Sequence, residues 1–160
     1  MVSTRSTVAA VAACTPLVAW RFISSHDPSQ YYPAFGPLPA VTAVSGQSGD
    51  WRTPGQSRTL HLSDGGHVVE RITDADSPTF FAYDLTDFQK LFGRLVSGAR
   101  AEWRCDAAVD GTRITWTYEF HPQRGRRWIV AAIVRLAWAP YMRRVLPTIV
   151  AALPAATPSA

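Results

Sequence analysis

Glu70 has the strongest claim to chemistry in this chain, because it shares strand parity with apolar neighbours. In a strand over residues 67–74, Val68 and Ile72 point the same way as Glu70, so the carboxylate turns inward with two aliphatic side chains. A buried carboxylate is costly unless paired, and desolvation raises its pKa, which suits a group that moves a proton on an enolisable ligand. Arg58 has the parity of Leu60 and Leu62 on the preceding strand, residues 56–63. Its planar fork suits a carboxylate or ketone oxygen of a ligand. Two readings stay open: Arg58 and Glu70 are a catalytic pair facing a ligand, or they neutralise each other as a buried bridge below a cavity floor. Tyr83, in line with Phe81 and Leu85, and Tyr118, in line with Trp116 and Phe120, each place a hydroxyl at the end of an apolar body. Trp103 and Trp116 offer flat rings to a flat ligand. All four of these aromatics fit plain core packing as well.

Other chemistries find little support. His26, His61, His67 and His121 share no face at ligand spacing, so neither a metal nor a cofactor is expected. Ser63-Asp64-Gly65-Gly66 reads as a hairpin turn, not a phosphate loop or nucleophile elbow.

The elements that must position these residues are mostly strands. Ile114, Trp116, Tyr118 and Phe120 alternate with Arg113, Thr115, Thr117 and Glu119 behind an Asp110-Gly111 turn, and Ala99, Ala101, Trp103 and Cys105 alternate with Arg100, Glu102, Arg104 and Asp106 before it. That is a hairpin with one bulky apolar face, too large to hide on a flat pair of strands. Upstream, runs at 56–63, 67–74 and 79–86 are separated by short turns and should pair antiparallel. Residues 5–13 read as a first strand, followed by a short helix with Thr15 as N-cap, Pro16 in the first turn, and Leu17, Val18, Trp20 and Ile23 buried. The proline-rich segment 26–40 is a loop or broken helix that packs, 41–44 a strand, and 88–92 a loop. From about Arg126 to Leu153 the pattern is helical, with Pro140 as a kink or the start of a second segment, and the tail 154–160 reads as disordered. The order is strand, short helices, six strands in series and a long helix.

At 160 residues the chain suits one domain, 5–153, with a single sizeable core. The net charge of +4 is carried almost wholly by arginine, with Lys90 the lone lysine. Most arginines are scattered singly over strands, so a nucleic-acid partner is not expected; Arg124, Arg126, Arg127, Arg143 and Arg144 read as a solvated helix face. Cys14 and Cys105 read as small buried hydrophobes, and a cytoplasmic setting is expected. A lipoprotein-type cleavage site ending at Cys14 is the competing reading, with a short apolar run against it.

The strand Val8–Ala13 with Thr15-Pro16 and Trp20, then Trp51-x-x-Pro54-Gly55-x-x-Arg58, Asp64-Gly65, Val69-Glu70-Arg71-Ile72, Tyr83, and Asp110-Gly-Thr-Arg-Ile-Thr-Trp116-Thr-Tyr118 carry a resemblance. Together with the amphipathic terminal helix they resemble the START-like, or polyketide cyclase/dehydrase (SRPBCC), superfamily. The resemblance implies an α+β helix-grip fold: a curved seven-stranded antiparallel sheet wrapped around the C-terminal helix and enclosing a cavity for an apolar or aromatic ligand. Members bind lipids, sterols, plant hormones or quinone-like molecules, and some cyclise polyketide chains. The segment 26–40 and the pair Pro140 and Pro147, which breaks up the terminal helix, depart from the pattern at the cavity mouth. Three functions follow as expectations. One is a binder of a hydrophobic small molecule walled by Tyr83, Trp103, Trp116 and Tyr118. Another is a cyclase-type enzyme in which Arg58 and a tyrosine polarise a carbonyl while Glu70 moves a proton. The last is an interaction protein whose Trp138, Tyr141 and Met142 meet a partner or a membrane surface without crossing it.

Overall fold

The computed structural model describes residues 2–154; the expected disordered tail lies, beyond Pro154, outside the described residues. Seven strands form one antiparallel sheet in the order β1-β7-β6-β5-β4-β3-β2. They are β1 (Arg5–Ala12), β2 (Val41–Ser45), β3 (Ser57–Leu62), β4 (His67–Asp76), β5 (Phe80–Thr86), β6 (Val96–Ala108) and β7 (Gly111–Pro122). Adjacent chain segments pair throughout β2 to β7, and β1 closes the far edge against β7, as short links and one long return dictate. Register shifts in β2, β4 and β6 bend the sheet, since a bulge adds twist where it interrupts a ladder. The bent face is the aromatic one and the C-terminal helix lies against it. The architecture is the α+β helix-grip arrangement that the resemblance implied.

The β6–β7 hairpin sets Trp103 opposite Trp116, Ala101 opposite Tyr118 and Ala99 opposite Phe120. Beyond the Trp103–Trp116 pair, the small Ala101 and Ala99 of β6 face the large rings of β7, which lets those rings lie over the sheet. Gly111 alone takes positive φ in this turn, at 137°. A side chain there would collide with the Ala12 carbonyl of β1, so glycine is required for the edge strand to approach. On the outer face Arg100 bridges Asp74, Asp84 and Glu102 at 2.9, 3.3 and 2.9 Å, binding β4, β5 and β6 together.

Helix α1 (Pro16–Ile23) starts as its sequence predicts, with the Thr15 hydroxyl accepting from the Val18 amide at 3.4 Å. It buries Ala19, Trp20 and Ile23, whereas Leu17, expected inside, stands in the first turn off that stripe and is 39% exposed. The stretch read as a loop at 88–92 becomes helix α2 (Lys90–Leu95). Gly93, which looks like a breaker, sits where a Cβ would meet the Phe88 carbonyl, so the glycine permits the turn. The terminal helix runs as α3 (Arg127–Ile133), a wide π turn (Val134–Trp138) and α4 (Ala139–Ala152). Pro140 does not end it. Its ring and missing N–H conflict with the carbonyl one turn earlier, and the wide turn directly ahead opens the ladder at that place. Pro147 is exposed on the outer side of α4 and the helix continues through it.

The segment 26–40 is a strap over one end of the barrel-like interior. His26 stacks on Phe22 at 5.8 Å and touches the rings of Tyr31 and Tyr32. Its Nδ1–H donates to the Ile23 carbonyl at 2.9 Å, leaving Nε2 buried with no protein partner. Burial, with the Arg58 charge adding to it, pushes the His26 pKa down to about 4. The unfolded chain, with an ordinary histidine pKa of about 6.5, therefore takes up a proton that the folded chain refuses. Stability is unaffected above about pH 6.5 and falls as pH drops toward about 4, by about 1–3 kcal/mol. Urea midpoints at pH 7 and pH 5 test this: His26→Phe should remove most of the difference, and an unchanged pH slope in that variant would refute the assignment.

Candidate functional site

Arg58 and Glu70 face each other directly across β3 and β4. The Arg58 Nε donates to Glu70 Oε2 at 2.7 Å, and the two side chains are 5% and 4% exposed. The guanidinium lies 4.1 Å over the Trp51 ring, so its second face is covered by an aromatic surface. Of the two sequence readings, the geometry is that of the buried bridge. Glu70 nonetheless lines a cavity, so the bridge lies in the cavity floor with its carboxylate edge toward the interior.

That cavity, of about 100 Å³, lies between the sheet and the terminal helix. An apolar cavity of about 150 Å³ takes benzene, so the space is on the scale of one small ring. Its walls include Tyr83, Trp116, Tyr118 and Phe120 from the sheet, Trp138 and Tyr141 from the helix, and Tyr32 from the strap. Trp103, expected on the wall, lies one layer behind it, stacked on Trp116 at 4.8 Å with planes 7° apart. Its role is to set the plane of the Trp116 ring. Pro39, Asp64, Gln89 and Phe92 also line it and are exposed or half-buried, which sets them at its rim. A second, outer hollow of about 390 Å³ lies between the strap and α4. Tyr32, Val41 and Tyr141 line both spaces and form the partition.

The polar groups in this wall are specific. The Tyr32 hydroxyl and the indole N–H groups of Trp116 and Trp138 are buried and have no protein partner. Burial pushes the phenol pKa values of Tyr32, Tyr83, Tyr118 and Tyr141 upward, and the nearby Glu70 charge adds to it for Tyr32, Tyr83 and Tyr118. All four phenols thus stay protonated at neutral pH and can donate. The arrangement is an apolar chamber with several hydrogen-bond donors and an acid already neutralised by its own arginine.

Tyr32, Trp138 and Tyr141 were not among the sequence candidates for this wall. Trp138, Tyr141 and Met142 were placed on an outer surface in the interaction reading; the helix instead turns them to the sheet, with Tyr141 3% and Met142 0% exposed. The spacing of Val134, Tyr141, Val145 and Ile149 held that signal. For Tyr32 only its place between prolines marked it. Among the described residues, no group of His, Cys, Asp and Glu is arranged to hold a metal ion. Cys14 and Cys105 are both buried free thiols, and burial pushes Cys105 up to about 12.

A curved antiparallel sheet gripping a C-terminal helix around an aromatic chamber defines the helix-grip class of fold. The model of the family described as polyketide cyclase / dehydrase and lipid transport matches residues 3–154, and the chain belongs to that family. The fold is similar to the aromatase/cyclase Zhui from Streptomyces sp. R1128, with 14% identity over 92% of this chain and 91% of that one and a TM-score of 0.65. It is also similar to major latex-like protein 151 from Panax ginseng, with 13% identity over 94% and 97% of the two chains and a TM-score of 0.67. Ara h 8.0201 gives 14% identity over 92% and 97% and a TM-score of 0.64. No curated protein sequence matches the chain. The family match is to proteins described by polyketide cyclisation or dehydration and lipid transport, and the structural similarities show a shared fold.

Proposed function

We propose that the protein binds a small aromatic molecule carrying hydrogen-bond acceptors, a phenyl ketone or quinone-like ring being the type. The observation that carries this reading is the set of partnerless donors on Tyr32, Trp116 and Trp138 in a largely apolar wall. An indole N–H only donates, so it is satisfied by an acceptor oxygen and by nothing a hydrocarbon offers. Tyr83 and Tyr118 supply further hydroxyls, and Trp116 the stacking surface. Arg58 and Glu70 hold the floor in this reading and position the tyrosines above it. A ligand larger than one ring requires the Tyr32–Tyr141 partition to move, joining the inner cavity to the outer hollow. The setting is the cytoplasm, a reading supported by the folding of residues 5–12 as a sheet strand and by two buried free thiols.

Acetophenone and ethylbenzene have nearly the same shape and differ in one acceptor oxygen, so their affinity ratio isolates the donors. Titrations followed by tryptophan fluorescence should give a ratio that falls about 3- to 10-fold in Tyr32→Phe or Trp138→Phe, the worth of one hydrogen bond. An unchanged ratio in both variants would remove the donor argument. A second reading, catalysis on an enolisable chain, is favoured by the neutral Tyr83 and Tyr118 phenols beside Glu70. Such catalysis works by shaping the substrate and polarising a carbonyl; turnover that survives both Tyr83→Phe and Tyr118→Phe would exclude it.

A further inference from the structure

Charge is unevenly distributed along this chain. From residue 120 onward there are six arginines and no Asp or Glu, whereas residues 1–119 hold ten basic and twelve acidic side chains. The same segment presents two large apolar side chains to solvent, Trp128 at 68% and Leu136 at 75% exposure. Val130, Ala131, Val134 and Ala137 take the inner side, so Trp128 and Leu136 occupy the outer one. They stand about 12 Å apart along the axis at about 1.5 Å of rise per residue. Arg124, Arg126 and Arg135 flank them and make no ion pair among the described residues.

This outer face is joined to the cavity rim. The Gln123 amide donates to the Leu95 carbonyl at 2.8 Å and its side-chain amide donates to the Gly93 carbonyl at 3.3 Å, which fastens the start of the terminal helix to α2. Helix α2 adds Lys90, Arg94 and Leu91, the last 62% exposed, and Gln89 and Phe92 beside them form the rim. Of the acids near α2, Asp64 lines the cavity and Asp87 is held by the His67 ring at 2.7 Å.

We propose that this face docks the protein on an anionic phospholipid surface. Trp128 and Leu136 enter the headgroup layer, the arginines meet lipid phosphates, and the cavity rim is carried to the bilayer. Exposed Trp and Leu flanked by arginines match a surface that is apolar within and negative outside. A second copy of the chain would bring like charges together. A nucleic-acid backbone would take the arginines but give Leu136 nothing. The docking does not depend on what the cavity holds.

Co-sedimentation tests this, using vesicles of 30 mol% phosphatidylglycerol in phosphatidylcholine and vesicles of phosphatidylcholine alone. The full chain should pellet with the first and not the second, and 0.5 M salt should release it. The doubly substituted Trp128→Ala, Leu136→Ala protein should partition at least tenfold less. Each Arg→Gln change at 124, 126 or 135 should lower partitioning about fivefold. All five positions are exposed, so the variants should remain folded, which circular dichroism checks. The proposal is overturned if the wild type ignores the anionic vesicles, or if the apolar double variant binds them equally well. Binding of soluble polyglutamate without vesicle binding would overturn it too, in favour of an acidic protein partner.

Discussion

Glu70→Gln should lower the unfolding free energy by about 3–5 kcal/mol although it changes little in volume. The amide leaves the Arg58 guanidinium charged, 5% exposed and without its counter-ion, and an uncompensated buried charge costs that much. The Trp51 ring at 4.1 Å softens the loss but cannot replace a carboxylate. A domain of this size loses roughly 2–4 °C of Tm per kcal/mol, so the drop should be about 6–20 °C. The double variant Arg58→Met, Glu70→Leu removes both charges and should recover most of the loss. Matching losses in the single and double variants would show that the pair does not act as a unit. Thermal unfolding of the three proteins decides this, and it separates a floor role for Glu70 from a catalytic one: the double variant should refold, enclose its cavity and retain acetophenone binding.

Trp103→Ala should cost a further class of energy, about 3–5 kcal/mol from a void in the centre of the sheet. Trp103 is 1% exposed and stacks directly on Trp116. Its removal frees the Trp116 ring to drop into the space left behind, taking its indole N–H away from the cavity. The variant that still folds should therefore bind ethylbenzene as well as or better than the wild type, because the chamber is larger, and should bind acetophenone with less preference. Urea unfolding gives the stability and the two titrations give the preference. A loss of stability with an unchanged preference would mean that Trp103 does not hold the plane of Trp116.

The β6–β7 hairpin and the Arg58–Glu70 pair were legible because strand parity and turn length fix which side chains meet. Once a short turn separates 56–63 from 67–74, residues 58 and 70 fall opposite each other with no tertiary information. The helix-grip arrangement followed from the element order and the resemblance. The wall contributed by the strap and by α4 was not legible in the same way. Tyr32 meets Trp116 at 6.0 Å between centroids only because the strap folds back over the sheet, a contact between segments far apart in sequence. Trp138 and Tyr141 were ambiguous since an amphipathic helix has the same periodicity whichever body covers it. The wide turn at Val134–Trp138 escaped because Pro140 read as a break, and the ladder absorbs a proline by widening before it.

The most direct test of the donor-lined cavity is the set of tryptophan indole resonances in a ¹H–¹⁵N spectrum, titrated with acetophenone and then with ethylbenzene. The Trp116 and Trp138 indole protons, assigned with the Trp→Phe variants, should shift downfield with acetophenone and much less with ethylbenzene, while the exposed Trp128 stays in place. Indole signals that ignore acetophenone at saturating concentration, or that respond equally to both ligands, would contradict it.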